Sequence, residues 1–303
     1  MLEAIDAVEE GFRALSSGRA HVPLRMVLPL AERDATTLVM PAVLERGDAA
    51  TVKVVSVVPS NRERSLPIVQ AAVLLVDART GAPRALLDGT ALTALRTGAA
   101  GGVAARRLAR SDARIVAVYG AGVQARTQVQ ALVALRRFRE IRIVARHREH
   151  AAAFASQFAR PGVRCVVGGR EAARGADIVV CATTSAEPVF DARDLGPGVH
   201  VTGVGSFRPE MREIPPDAFD GALVVVDQRE AALAEAGELI AAVATGMVKK
   251  DEILEIGEDR ARRTSDEQRT IFKSVGNAVQ DLAVAAHALA RAESAGLGSL
   301  VEL

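Results

Sequence analysis

A short apolar run that ends in a glycine-rich turn constrains the fold of this chain most strongly. Residues 115–118 and Tyr119 lead into a turn of small residues, Gly120, Ala121, Gly122, Val123, Gln124 and Ala125. This G-x-G-x-x-A pattern lies between a predicted strand and a predicted helix, and a second apolar run follows at 141–145. Gly120 permits a tight turn, Gly122 lets a pyrophosphate approach the backbone, and Ala125 keeps the helix near the sheet. The pattern predicts a Rossmann domain that binds a dinucleotide at the helix N-terminus.

Further apolar runs flank this turn. After residue 111 they alternate with helical patterns, at 115–118, 141–145, 163–167, 178–181, 199–204 and 223–226. This alternation predicts an α/β protein with a parallel sheet. Earlier, β-branched and long apolar residues predict strands over 22–28, 36–40, 51–58, 69–76 and 84–87. Helical spacing predicts further helices over 5–15, 90–108 and 274–294, the second one capped by Asp88.

The end of the second Rossmann strand indicates which dinucleotide binds. NAD-binding domains usually carry an acid there for the ribose hydroxyls. This chain instead has Arg146, His147 and Arg148, and its first acid is Glu149. Because a guanidinium pairs well with a 2′-phosphate, Arg146 and Arg148 favour NADP(H), with NAD(H) as the alternative. The competing interpretation is that both are solvated surface arginines.

Charged residues interrupt apolar segments at four other places, Arg25, Lys53, Arg96 and Asp227. Arg25 and Lys53 lie in strand-like runs, and a buried lysine needs an anionic partner or a lowered pKa. Taken singly, each cation is more often a paired or solvent-reaching charge than a ligand. Asp227 ends the last Rossmann-like strand, at the sheet edge where ligands bind. The alternative role for Asp227 is to cap the N-terminus of the following helix.

Composition excludes several classes of partner. With 38 basic and 37 acidic residues, neither nucleic acid nor an anionic membrane is expected. No apolar run approaches the roughly 18 residues of a membrane span, and early acidic residues argue against a signal peptide, so a cytoplasmic enzyme is expected. Cys165 and Cys181 read as small buried residues on neighbouring strands. No metal-ligand spacing involves them, and no metal is expected.

Several segments together resemble the ornithine cyclodeaminase/μ-crystallin family, over nearly the whole chain. The likeness is carried by Val22-Pro-Leu-Arg25, Val52-Lys53-Val54, Leu92-Thr-Ala-Leu-Arg96-Thr97, the turn 120–125, Thr202-Gly-Val-Gly-Ser206, Asp227 and Ile271-Phe-Lys-Ser274-Val-Gly276. The combination of Leu-Thr-Ala-Leu-Arg-Thr with Gly-Ala-Gly-Val-Gln is highly specific.

The resemblance implies a Rossmann domain over 111–271 and a smaller α+β domain, made from 1–110 and 272–303, that binds substrate and pairs two subunits into a homodimer. It implies that Arg25, Lys53 and Arg96 hold the substrate carboxylate, and that Lys53 and Asp227 are catalytic. The implied cofactor contacts are Thr97, Gly120, Ala121, Gly122, Val123, Gln124, Thr183, Val204 and Ser274. Family members commonly carry an extra strand and short helix before the segment that begins here at Met1, which bears on the dimer edge.

The expected reaction is reduction of a small imino acid by NAD(P)H, for example Δ1-pyrroline-2-carboxylate to proline. Three alternatives stay open: cyclodeamination of ornithine to proline and ammonia, oxidative deamination of the alanine dehydrogenase type, and dinucleotide or hormone binding without catalysis. Cyclodeamination would need a second carboxylate for the side-chain amine, and the candidates considered are Glu32, Asp34, Glu45 and Glu63.

Overall fold

Two compact units make up the chain in a computed structural model that describes residues 1–45 and 47–301, with the side chain of Arg33 also outside the description. The parallel unit comprises Met1–Ile5 and Thr97–Gly276, and the antiparallel unit comprises Asp6–Arg96 and Asn277–Leu303. The substrate and dinucleotide roles expected for 1–110 with 272–303 and for 111–271 stay predictions. Among the described helices, none is both long and apolar enough to cross a membrane.

Seven α-helices lie in the described chain: α1 Leu2–Ser16, α2 Gly89–Leu108, α3 Val123–Leu135, α4 Arg148–Phe158, α5 Arg229–Glu235, α6 Gly237–Ala244 and α7 Ala278–Ser294. Asp88 caps α2 as predicted, because its Oδ1 accepts the N–H groups of Thr90 at 2.8 Å and Ala91 at 3.2 Å. The predicted start of the last helix at residue 274 is wrong. Gly276 has a φ of 87°, and Asn277 caps α7 by accepting the Val279 N–H at 2.8 Å.

The antiparallel unit holds a sheet of six strands: β1 Ala20–His21, β2 Met26–Leu30, β3 Ala35–Leu44, β4 Ala49–Val57, β5 Val69–Asp77 and β6 Pro83–Asp88. Their order is β1-β3-β4-β5-β6, and β2 also pairs with β3. The helix α7 packs on β3, β4 and β5. Arg25 lies just before β2 and not in a strand, which corrects the prediction of a strand over 22–28.

The parallel unit holds eight parallel strands: β7 Ile115–Tyr119, β8 Glu140–Val144, β9 Arg164–Val167, β10 Ile178–Cys181, β11 His200–Gly203, β12 Leu223–Val226, β13 Leu254–Glu255 and β14 Thr270–Lys273. Side chains alternate between two apolar clusters, with Val116 and Val118 on one face of β7 and Ala117 and Tyr119 on the other. The predicted parallel sheet is confirmed.

The order of this sheet is β13-β12-β14-β11-β10-β7-β8-β9, so the strand order reverses between β7 and β10. Ligands bind at the carboxyl ends of parallel strands beside such a reversal. The same order corrects the expectation that the strands of Cys165 and Cys181 are neighbours, because β7 and β8 lie between β9 and β10. Both cysteines are free; Cys181 is buried as predicted, whereas Cys165 is half-buried.

The sequence prediction missed β13 and β14, and β12 is therefore not the last strand. The missed β14 lies between β11 and β12, fully buried along its four residues. Its four residues, Thr-Ile-Phe-Lys, do not alternate between apolar and polar side chains. They also follow a long irregular segment, so no preceding helical pattern marks the strand. The expected domain boundary at 271/272 falls inside this strand.

Candidate active site

The glycine-rich turn joins β7 to α3 beside the loop that follows β10. Gly120 has a φ of 117°, and a β-carbon there would collide with the carbonyl oxygen of Ala182. Its N–H donates to the carbonyl oxygen of Val144, at the end of β8, at 2.8 Å. Only glycine satisfies both the dihedral angle and the close approach, as the motif predicts.

The N-terminus of α3 is open. Gly122 is its N-cap residue and supplies no side chain to the free N–H groups. A β-carbon on Gly122 would meet nothing within 4 Å, and the next residue, Val123, is 63% exposed. The buried Oε1 of Gln124 has no hydrogen-bond partner among the described residues. A helix N-terminus without a side-chain cap fits a pyrophosphate group, because its free N–H groups donate to phosphate oxygens.

Two more predicted cofactor contacts follow the neighbouring strands at the same sheet edge. Thr183 comes two residues after β10, and its N–H and hydroxyl donate to Oε1 of Glu213 at 2.5 and 2.8 Å. Val204 directly follows β11, and its N–H donates to the carbonyl oxygen of Cys181 at 2.9 Å. Together with the turn 120–124, these residues lie at the carboxyl ends of three adjacent strands, β7, β10 and β11.

Asp227 follows β12 as predicted and is 1% exposed. Its Oδ2 accepts the Ser274 hydroxyl at 2.7 Å and the N–H groups of Val275 and Gly276 at 3.1 and 2.8 Å. The alternative role as a helix cap does not apply, because α5 has Gln228 as its N-cap and no side-chain cap bond. The carboxylate therefore fixes the turn that follows β14 and orients Ser274.

The two arginines expected to read the cofactor's phosphate lie beyond β8. Arg146 and Arg148 are exposed, and Arg148 is the first residue of α4. Neither side chain forms a hydrogen bond or ion pair with another residue in the described part of the chain. Thr97 lies on α2, is 7% exposed, and accepts the Nε2–H of Gln128 on its carbonyl oxygen at 2.7 Å.

A buried charged cluster occupies the covered face of the antiparallel sheet. Lys53 lies on β4, opposite Met40 of β3 and Val73 of β5, and is 1% exposed. Its Nζ lies 2.6 Å from Oδ2 of Asp281 on α7, and Nε of Arg96 lies 3.3 Å from Oδ1 of the same carboxylate. Within the described residues, two buried cations thus share one carboxylate.

Burial and, to a lesser extent, the charge of Arg96 lower the pKa of Lys53 while Asp281 opposes the shift, and the resulting pKa is about 8. Arg25 adds a smaller effect of the same sign as Arg96, so all three predicted carboxylate-binding cations belong to one electrostatic group. Arg96 is fixed by a hydrogen bond from its Nη1 to Oε1 of Gln280 at 2.5 Å. The cluster combines a fixed guanidinium with a lysine that can lose its proton near neutral pH.

The sequence prediction missed Asp281 and Gln280. A signal for Asp281 exists, since the buried Lys53 demands an anion and Asp281 is the acid in the first turn of the Ala-rich last helix. Glu213, which holds Thr183, carries no such signal because it lies in an irregular segment. Glu32, Asp34, Glu45 and Glu63, the candidates for a second substrate-binding acid, are all exposed. Among the described residues, no cluster of His, Cys, Asp or Glu fits a metal ion.

Comparison with known proteins decides the family. The model of the ornithine cyclodeaminase/mu-crystallin family matches residues 1–296. The chain belongs to this family. Members similar to it include the Δ1-pyrroline-2-carboxylate reductase of Bacillus cereus, which is 39% identical over 312 aligned residues covering 100% of this chain and 95% of that protein. The resemblance drawn from the sequence motifs is confirmed.

The solved structures of two relatives superpose closely on this chain. The Thermococcus litoralis Δ1-pyrroline-2-carboxylate reductase, in complex with NADH and L-proline, gives a TM-score of 0.93 at 37% identity, covering 98% of this chain and 95% of that one. An archaeal alanine dehydrogenase dimer with bound NAD also gives 0.93, at 35% identity, covering 99% and 94%. These relatives confirm the α/β fold class with a Rossmann-like dinucleotide-binding domain.

Proposed function

We propose that the protein reduces the C=N bond of a small cyclic imino acid, such as Δ1-pyrroline-2-carboxylate, with NAD(P)H. The observation that carries this function is the buried cluster in which Lys53 and Arg96 share the single carboxylate of Asp281. Excess buried positive charge is costly unless an anion neutralises it. A substrate carboxylate supplies that anion, and the Δ1-pyrroline-2-carboxylate reductases named above act on a substrate that has one.

The three cations have different tasks. Arg96, fixed by Gln280 and Asp281, presents a planar guanidinium suited to a carboxylate, and Arg25 contributes a second guanidinium. Lys53 has a pKa of about 8, so near neutral pH it carries a proton that it can release. We assign Lys53 as the general acid: as the C=N π bond breaks, its electron pair on nitrogen takes the Lys53 proton. Lys53 is then reprotonated from solvent.

The dinucleotide is held by backbone groups of the parallel unit. The open α3 N-terminus, with Gly120, Ala121, Gly122, Val123 and Gln124, would bind the pyrophosphate. Thr97, Thr183, Val204 and Ser274 would line the rest of the cofactor. When bound, the reduced nicotinamide supplies the hydride that the imine carbon receives. Asp227 acts here by orienting Ser274 through the 2.7 Å hydrogen bond, and not by moving a proton.

NADP(H) is the proposed preference, with NAD(H) as the alternative. The support is that Arg146 and Arg148 are exposed after β8, where a 2′-phosphate would meet them. The solved relatives bind NADH and NAD, so the preference rests on these two side chains alone.

Oxidative deamination of an amino acid is the second candidate, favoured by the similarity to the archaeal alanine dehydrogenase. The amino acid's carboxylate would use the same cation site, the amino acid would lose a hydride to the oxidised cofactor, and the resulting imine would be hydrolysed to a keto acid and ammonia. Ornithine cyclodeamination is less well supported, because the four acids considered for the side-chain amine are exposed.

A homodimer is proposed through the antiparallel sheet. Met26, Val27, Leu28 and Leu30 of the edge strand β2 are 44–60% exposed, and Val54 on the face away from α7 is 44% exposed. Contiguous exposed apolar side chains of this kind are typical of an interface. Light scattering should give a molar mass twice that of one chain. Val54→Glu should reduce this mass to that of a single chain.

The deciding experiment follows NADPH and NADH absorbance with Δ1-pyrroline-2-carboxylate, and identifies the product by chromatography. Proline formation would support the reductase. Turnover only with pyruvate plus ammonium would select the alanine dehydrogenase reaction, and ammonia release from ornithine would select cyclodeamination. Cofactor binding without any turnover would leave only the hypothesis that the protein binds its ligands without catalysis.

A further inference from the structure

A second buried charge cluster, in the parallel unit, has no part in the chemistry proposed above. It contains Lys273 at the end of β14, Glu238 near the start of α6, and Glu213, and each is 0% exposed. Nζ of Lys273 lies 3.3 Å from Oε1 of Glu238 and donates to the carbonyl oxygen of Ser206 at 2.7 Å. The Ser206 hydroxyl donates to Oε2 of Glu238. Burying three ionisable side chains is costly, so their arrangement calls for a function.

Glu213 connects the loops that follow β10 and β11. Its Oε1 accepts the N–H and the hydroxyl of Thr183, at 2.5 and 2.8 Å. Its Oε2 accepts the N–H groups of Gly205 at 2.6 Å and Ser206 at 3.0 Å. A β-carbon on Gly205 would collide with the Thr183 backbone, so the two loops touch directly. One carboxylate therefore fixes both loops, while Lys273 and Glu238 contact the carbonyl oxygen and the hydroxyl of Ser206.

These two loops lie in the second half of the sheet, beyond the reversal between β7 and β10. A doubly wound sheet binds one mononucleotide on each half, and the glycine-rich turn belongs to the first half, built on β7, β8 and β9. The loops after β10 and β11 therefore belong to the half that receives the nicotinamide mononucleotide.

We propose that Glu213 is a positioning residue for the nicotinamide half of the dinucleotide: it holds Thr183 and the 204–206 segment in the conformation that receives this half. This inference rests on the proposed dinucleotide-dependent function. It makes no demand on the imino-acid substrate, since it concerns cofactor binding alone.

The test is Glu213→Gln, which preserves size but not the acceptor pattern. Both oxygens of Glu213 accept backbone N–H groups, so either orientation of a glutamine amide sets an NH2 donor against an N–H donor. The matched control is Glu238→Gln in the same cluster. There the NH2 can face the Ser206 hydroxyl, which rotates to accept, while the amide oxygen faces Lys273.

Binding is measured without substrate, by NADH fluorescence and by competition with ADP, which occupies only the adenosine half. We expect Glu213→Gln to raise the Kd of NADH about tenfold or more while the Kd of ADP stays within about twofold. Glu238→Gln should change neither by more than about threefold. Should Glu213→Gln fail to fold, Glu213→Asp, which keeps an all-acceptor carboxylate, is expected to weaken NADH binding selectively but less.

Unchanged NADH binding in the Glu213 variants, or an equal loss of NADH and ADP, would overturn the assignment. Because ADP and NADH binding need no imino acid, the outcome is independent of whether the reductase activity is found. Circular dichroism of each variant establishes that the fold is intact before binding is compared.

Discussion

Nζ of Lys53 lies 2.6 Å from Oδ2 of Asp281, with both side chains buried between the middle of the antiparallel sheet and the last helix. The same carboxylate faces Nε of Arg96 at 3.3 Å. This pairing keeps the lysine charged at neutral pH despite its burial, because Asp281 raises a pKa that desolvation lowers. It also leaves one positive charge for a substrate carboxylate to neutralise.

Replacing Asp281 with Asn should destabilise the protein by about 3 kcal/mol, because Lys53 and Arg96 then lose their shared anion in a buried place. Urea denaturation measures the change. The double variant Lys53→Met with Asp281→Asn is the control. Since it removes the lysine charge as well, it should be more stable than Asp281→Asn alone, and equal or greater loss would contradict the pairing.

The pH profile of imine reduction should report Lys53. Protonated Lys53 is the form that donates, so kcat/KM should fall as pH rises above about 8. In Lys53→Arg, whose side chain stays protonated, this decline should disappear over pH 6–10, at a much lower rate. If the decline persists unchanged in Lys53→Arg, it belongs to the substrate imine and not to Lys53.

Stability in acid should depend on His200. Its ring is buried between the hydroxyls of Thr270 and Thr202, at 2.9 Å each, and burial lowers its pKa to about 3. The unfolded chain binds a proton there near pH 6.5, so this residue removes up to about 1.4 kcal/mol of stability per pH unit as pH falls below that value. Denaturation at pH 7 and pH 5 should show a smaller acid loss in His200→Gln. Equal losses would contradict the lowered pKa.

Cofactor preference should change with Arg146→Asp. The substitution removes a partner for the 2′-phosphate and provides an acceptor for ribose hydroxyls, so the Kd of NADPH relative to NADH should rise at least about tenfold. Arg148→Asp is the companion variant, and the larger effect identifies the residue that contacts the phosphate. An unchanged ratio in both variants would remove the support for NADP(H).

Much of the fold was predictable because its signals are local. The turn 120–125 requires small residues at fixed positions, and Asp88 carries a capping signal that the structure confirms by hydrogen bonds from the N–H groups of Thr90 and Ala91. The strand β14 was missed because four residues buried on both faces carry no period. The start of α7 was misplaced because Asn277 and Gly276, not the apolar stripe, decide it.

The candidate site was predictable only where a residue type is unusual for its surroundings. Lys53 in an apolar strand and Asp227 after an apolar run stand out in the sequence. Their partners do not, since Asp281 lies 228 positions from Lys53 along the chain and Ser274 lies 47 from Asp227. Such pairs are made by tertiary packing, which a local pattern does not encode.

The most direct test of the central claim compares Δ1-pyrroline-2-carboxylate with Δ1-pyrroline, the same ring without its carboxylate, in wild type and Arg96→Met. If the buried cations bind the carboxylate, wild type should prefer the acid by at least about a hundredfold in kcat/KM, and Arg96→Met should lose most of that preference. Equal use of both rings by wild type, or an undiminished preference in Arg96→Met, would contradict it.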